Sequence, residues 1–244
     1  HQEPGGVRIM AYTAIDDPSA HFQIAIWTGD GAGSNAITFS GNSDLQPDMT
    51  WIKNRDTTYW HVLSDSSRGR TKVVYPNANN AEDTSTNHVL SWSSDGFSIG
   101  DNGNVNSDTV KYVSWNWKAN GGTRTTNTES GNDPGGGYQA NTTAGFSIVD
   151  YVGTGAAGTK THGLGAVPHV MIHKNRADAR DWRFYHHTYG AEKYLDMNTT
   201  SALGDASTPW NDTDPTSSVF TVGSDGGSND DGDNIIAYLW TEIQ

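Results

Sequence analysis

Trp51-Ile52-Lys53-Asn54-Arg55 returns as Ile172-His173-Lys174-Asn175-Arg176, with Lys-Asn-Arg intact. A longer frame surrounds this echo. Residues 22–31 (FQIAIWTGDG) match residues 146–155 (FSIVDYVGTG), and Pro47, Trp60, Gly69 and Lys72 match Pro168, Trp182, Gly190 and Lys193. Phe97-Ser98-Ile99-Gly100 matches Phe220-Thr221-Val222-Gly223, and Trp115-Asn116-Trp117 matches Tyr238-Leu239-Trp240. The offset stays between 121 and 124 residues throughout. Matches in one order at one offset mark a duplicated folding unit. Catalysis usually needs one asymmetric site, so duplication favours binding or architecture.

The echo reads as strand, turn and strand. Residues 49–53 run into the polar turn Asn54-Arg55-Asp56-Thr57, and residues 59–63 return, which predicts a hairpin. Residues 88–92 and 97–99 flank the turn Ser94-Asp95-Gly96. Residues 110–117 alternate, with Val113, Trp115 and Trp117 on one face and Tyr112, Ser114 and Asn116 on the other. Seven or eight such segments per copy predict an all-β chain of two antiparallel β-sandwich units. No stretch carries a helical apolar stripe. The expected boundaries are an extended arm at 1–20, repeat one at 21–118, a Gly/Thr/Asn-rich, loop-like linker at 119–144 and repeat two at 145–244.

Composition narrows the function classes. A net charge of −13 with scattered basic residues disfavours nucleic acid and anionic membranes. No apolar run is long enough to span a bilayer as a helix, so no membrane insertion is expected. With no cysteine, thiolate metal sites and cysteine nucleophiles are excluded. A start at His1 fits a processed chain or a piece of a longer one.

The repeated Lys53 and Arg55, with Lys174 and Arg176, offer donors for a carboxylate or sulfate on a glycan. A following acid in each copy (Asp56, Asp178) instead favours hairpin capping, with the arginines holding the turn. Trp60 and Trp182 follow that turn and fit either a sugar platform or, more commonly in a sandwich, core. The strand tryptophans, Trp51, Trp115 and Trp117 among them, are expected to be mostly buried. Trp210, before Asn211-Asp212, is the best candidate for an exposed aromatic. The loop holding Asp225, Asp230, Asp231 and Asp233 is a weak calcium candidate, without EF-hand spacing. Neighbouring His186 and His187 point to opposite faces of a strand and cannot readily share a metal. Gly29-x-Gly31 and Gly153-x-Gly155 end strands without a following helix, so they read as tight turns. There is no Gly-x-Ser-x-Gly elbow and glutamate is scarce. No catalytic residue and no cofactor are expected.

Residues 11–22 (AYTAIDDPSAHF) resemble the start of structural proteins of tailed phages, marine phages especially. Tyr151-x-Gly153-x-Gly155, His162-Gly163-Leu164-Gly165-x-x-Pro168, Ile172-x-Lys174-Asn175-Arg176, Asn198-Thr199-Thr200 and Pro215-Thr216-Ser217-Ser218-Val219-Phe220 are similar to the tandem repeat of such proteins. The resemblance runs from Met10 onward. It implies jelly-roll, concanavalin-like units in a virion protein of tail-fibre or surface-appendage type. It implies a non-enzymatic role in assembly or host adhesion, with other virion proteins, a host-surface glycan and further copies of the chain as partners. The alternatives are a carbohydrate-binding module of a secreted bacterial protein and, behind it, a polysaccharide-degrading enzyme.

Overall fold

A computed structural model describes residues 15–243; most of the expected arm, residues 1–14, lies outside the described residues. The chain is all-β, with 41% strand and 3% helix. After a 3-10 turn at Pro18–Ala20 come β1 (Phe22–Thr28), β2 (Asn35–Thr38), β3 (Met49–Asn54), β4 (Val62–Asp65), β5 (Lys72–Val73), β6 (Asp83–Thr84), β7 (Val89–Ser93), β8 (Gly96–Ile99), α1 (Gly103–Asn106) and β9 (Lys111–Trp117). The second half holds β10 (Thr125–Asn127), β11 (Gly136–Asn141), β12 (Phe146–Val152), β13 (Gly158–Thr161), β14 (Pro168–Asn175), β15 (Arg183–His186), β16 (Lys193–Asp196), β17 (Gly204–Asp205), β18 (Val219–Val222) and β19 (Asn234–Thr241).

The strand order β1-β9-β3-β4 of the first half reappears as β12-β19-β14-β15 inside the eight-stranded sheet of the second. The registers follow. Phe22 faces Trp117 as Phe146 faces Trp240, and Lys53 faces Val113 as Lys174 faces Ile236. The glycine turns repeat too. Gly31 and Gly155 sit at φ +65° and +66°, where a side chain is strained. Their N–H groups donate to the carbonyls of Asn106 and Asn229, at 3.0 and 2.9 Å. A Cβ on Gly29 or Gly153 would lie 2.1 Å from a backbone oxygen, so both close approaches demand glycine.

Residues 119–144 are more than a loop. They supply β10 and β11, which extend the large sheet beyond β12. Side-chain amides hold this segment in place of apolar residues. The Gln139 Nε2 donates to Ser66 and Ser67 Oγ at 2.8 and 2.7 Å. Its Oε1 accepts from the Gly122 N–H at 3.0 Å.

Three apolar clusters order the sheets. Ala25, Ile37, Ile52, Phe97 and Tyr112 fill the space between β1-β9-β3-β4 and β2-β8-β7. Val149, Met171, Phe220, Ala237 and Leu239 do so between the large sheet and β13-β18. A third cluster joins the halves: Met49, Leu63 and Val74 meet Phe146, Ile148, Ile172, Trp182, Ile236 and Tyr238. β19 therefore alternates between two cores, with Ile235, Ala237 and Leu239 on one side and Ile236 and Tyr238 on the other.

A buried charge network runs through the same joint. The Arg68 guanidinium, fully buried, donates to Asp65 at 2.5 Å and Glu82 at 3.0 Å, and to the Tyr238 hydroxyl at 3.2 Å. The Tyr238 hydroxyl donates to Asp65 at 2.7 Å, and Arg176 grips Glu82 with two bonds of 2.7 and 2.9 Å. Removing one partner of a buried pair leaves an uncompensated charge, which costs about 3–5 kcal/mol. Glu82→Ala, which takes one of two carboxylates from Arg68 and the carboxylate partner from Arg176, is expected to lose that much stability in urea unfolding. A loss below about 1 kcal/mol would contradict the network's role.

Candidate functional site

The outward face of β1, β9 and β3 carries residues in cross-strand rows. Phe22, Trp117 and Met49 form one row, and Ile24, Trp115 and Trp51 the next. Ile26, Val113 and Lys53 follow. Thr28 and Lys111 come last, with the Arg55 N–H bonded to the Lys111 carbonyl at 2.8 Å. The near rows reach the joint between the halves, where Trp117 packs against Phe146 and Trp240 at 6.1 and 5.8 Å. The far rows are open: Ile24 is 51% exposed and Ile26 69%.

An apolar hollow of about 260 Å³ opens between Trp51, His61, Trp115 and Trp117. Trp51 and Trp115 meet edge to face, with ring centres 6.2 Å apart. The Trp51 Nε1 donates to the His61 Nδ1 at 3.2 Å, which fixes the indole and requires that nitrogen to be unprotonated. Burial, reinforced by nearby Lys53, depresses the His61 pKa to about 4 and favours that state. A second hollow, about 320 Å³, lies two rows on, between Ile26, Trp27, Thr28, Arg55 and Lys111.

A family model described as "Domain of unknown function (DUF7483)" matches residues 17–244. The chain belongs to that family. No curated protein and no solved structure matches it.

In this DUF7483 chain the two Lys-Asn-Arg turns share an asparagine cap and a lysine bond to the carbonyl four residues on, and differ in what the arginine side chain meets. Asn54 and Asn175 each accept two N–H bonds from the turn that follows, between 2.9 and 3.0 Å. Lys174 is fully buried and donates to the carbonyls of Asn79, Asp178 and Arg180. Lys53 bonds the carbonyls of Asn54 and Thr57 at a half-buried position. Arg176 holds Glu82 in the other half rather than its own turn. Arg55 departs from the expected capping role altogether. Its side chain is exposed and, among the described residues, makes no hydrogen bond or ion pair.

Several tryptophans depart from expectation. Trp210 is fully buried, although the turn that follows it, with Asn211 and Asp212 at φ 51° and 48°, is exposed. Its Nε1 donates to the Lys193 carbonyl at 3.2 Å, and its ring meets His173 at 4.9 Å. Trp182 is buried, but in the joint, donating to the Tyr75 and Ala78 carbonyls at 3.1 and 3.0 Å. Trp60 is 44% exposed and rests on the Tyr75 ring. Trp51, Trp115 and Trp117 are half-buried rather than buried and line the hollow, with Trp51 and Trp117 also packed against the cluster of the joint.

The acidic loop is laced by cations. Asp225 takes a two-bond grip from Arg183 at 2.8 and 2.9 Å, which turns it away from the other acids. Asp230 pairs with Arg180, Asp233 accepts from Asn175, and Asp231 stays exposed. Asp178, Asp230 and Asp233 bring carboxylate oxygens within 4.8 Å of one another, and Arg180 and Asn175 already donate to Asp230 and Asp233.

Burial depresses His61 and His88 to about 4 and His173 to about 3. The folded chain keeps them neutral, whereas the unfolded chain protonates them near 6.5. Their contribution is complete above pH 6.5 and is lost as pH falls toward 4. The melting temperature should fall steadily from pH 7 to pH 4.5. A flat profile across that window would contradict the buried neutral histidines.

Proposed function

We propose that this chain is a non-enzymatic contact protein of a phage surface, of tail-fibre or surface-appendage type. In this reading it consists of two tandem jelly-roll, concanavalin-like sandwich units and acts in assembly or host adhesion. The repeated strand order, registers and glycine turns support the tandem organisation. The sequence resemblance supports the virion setting, with other virion proteins and further copies of the chain as partners.

One observation carries the contact role: the aromatic hollow of Trp51, Trp115 and Trp117 beside the exposed Ile24 and Ile26. An apolar face of this kind is a place for a ligand or partner to settle. The flat, half-exposed indoles match the apolar face of a pyranose ring. The same hollow favours the second reading, a carbohydrate-binding module of a secreted bacterial protein. Location separates the two.

Antibody against the chain should decorate the surface of purified particles. Trp115→Ala protein should bind host cells at least about ten-fold more weakly at an unchanged melting temperature, the scale of one lost binding anchor. Particles without label, from a host that secretes the protein, would turn the assignment to the second reading. Host polysaccharide incubated with the protein should release no reducing ends above a heat-killed control.

A further inference from the structure

We propose that the open face of β1, β9 and β3 binds an acidic saccharide, with a pyranose ring on Trp51 and Trp115 and its carboxylate or sulfate on Arg55, Lys111 and Lys53. The inference rests on the contact role of that face and names the ligand class.

Geometry is the first support. Successive rows of one strand face lie about 6.5–7 Å apart. The Trp115–Trp51 row is one step from Lys53 and two from Lys111 and Arg55. An anionic group about 7–14 Å along from a stacked ring is the reach of one or two sugar units. The two hollows mark the two ends of that span.

Charge is the second. Most arginines of the described chain are committed: Arg68, Arg124, Arg176, Arg180 and Arg183 all hold carboxylates. Arg55 and Lys111 are exposed and their side chains hold nothing among the described residues. In a chain of net charge −13, two cationic side chains without a partner among the described residues, two rows from the tryptophans, favour an anion with an apolar face; the neighbouring Asp56 carboxylate is taken by the Lys111 N–H at 2.8 Å. A neutral glycan would leave them idle.

The second half shows the same face when it is covered. Ile148, Tyr238 and Ile172 occupy the places of Ile24, Trp115 and Trp51, and all three are buried by the first half. Arg176, in the place of Arg55, takes a carboxylate with two bonds, and Lys174 takes a carbonyl of the covering segment. The face is thus built to receive an acid at its arginine.

A second copy stacked in the same manner is a poorer occupant. The covering edge of the first half presents Glu82 just before β6, and it is already engaged. The matching edge of the second half has Leu203 just before β17. Such a copy would bring leucine to Arg55.

The test uses the full chain and tryptophan fluorescence with three probes: oligogalacturonate, a sulfated galactan oligosaccharide and maltohexaose. At least one acidic probe should quench the signal and bind about ten-fold or more tighter than maltohexaose, the scale of a charge-assisted contact. The winning acid tells carboxylate from sulfate. Added salt should weaken that binding. Arg55→Gln with Lys111→Gln should reduce the acid to the neutral level at an unchanged melting temperature, and Lys118→Gln, placed away from the row, should not. Equal binding of acidic and neutral probes overturns the acid selectivity and leaves the contact role standing. Binding of none overturns the saccharide. If the chain then dimerises in light scattering and Trp115→Asp restores the monomer, the face is an interface between copies.

Discussion

The guanidinium of Arg68 sets the arrangement of the halves. Burial opposes its charge, but Asp65, Tyr238 and Glu82 outweigh that and hold it protonated. Such a group tolerates few geometries, because each missing partner is an unpaid buried charge. Asp65, Arg68 and Glu82 come from the first half, and Tyr238 and Arg176 from the second. The apolar contacts of Leu63, Val74 and Ile236 would permit some sliding, since hydrophobic burial has no direction. The charge network removes that freedom. It fixes the second sheet against Leu63 and Val74 and the Trp117 end of β9, and leaves Ile24 and Ile26 of β1 exposed.

That offset explains how one duplicated motif serves two ends. The asparagine cap and the lysine bond to the carbonyl four residues on recur in both copies, because the turn after the strand needs its polar groups satisfied wherever it sits. The lysine and arginine face whatever lies beyond the sheet. In the second half that is residues 79–82 of the first, and both side chains are consumed. In the first half Arg55 meets solvent. The amide of Asn175 donates to Gly226 and Asp233, while the Asn54 Nδ2 is buried without a partner among the described residues. The loop before β19 supplies Asp233 as an acceptor, whereas the loop of equal length before β9 has Val110 in that place.

Much of this was legible in the sequence. The all-β class, the hairpin after residue 49 and the two faces of residues 110–117 follow from period-two alternation and turn residues, which are local. The open face was not, because alternation makes Val113, Trp115 and Trp117 the apolar side of β9 and so marks for burial the side that the structure leaves partly open. The tryptophans there read as core by the same logic that buried Trp182. Trp210 misled in the opposite direction: polar neighbours mark a turn, not the direction its indole takes. β11 escaped because Gly136-Gly137 and Gln139 carry no apolar pattern, and backbone pairing with side-chain amides holds them. Glu82 could not be matched to Arg68 and Arg176 from spacing, since the three meet only across the joint.

An exposed Ile24 and Ile26 on β1, an edge strand, would ordinarily invite another strand to pair. Two features work against it. Gln23 binds the Ser19 and Ser43 carbonyls and the Gly41 N–H, which laces flanking segments to the start of the strand. Farther along, Lys53, Lys111 and Arg55 place charge among the isoleucines. An incoming apolar strand would have to desolvate those cations without repaying them. A ligand that brings its own anion has no such cost. The charges that protect the face from indiscriminate association therefore also restrict what it accepts.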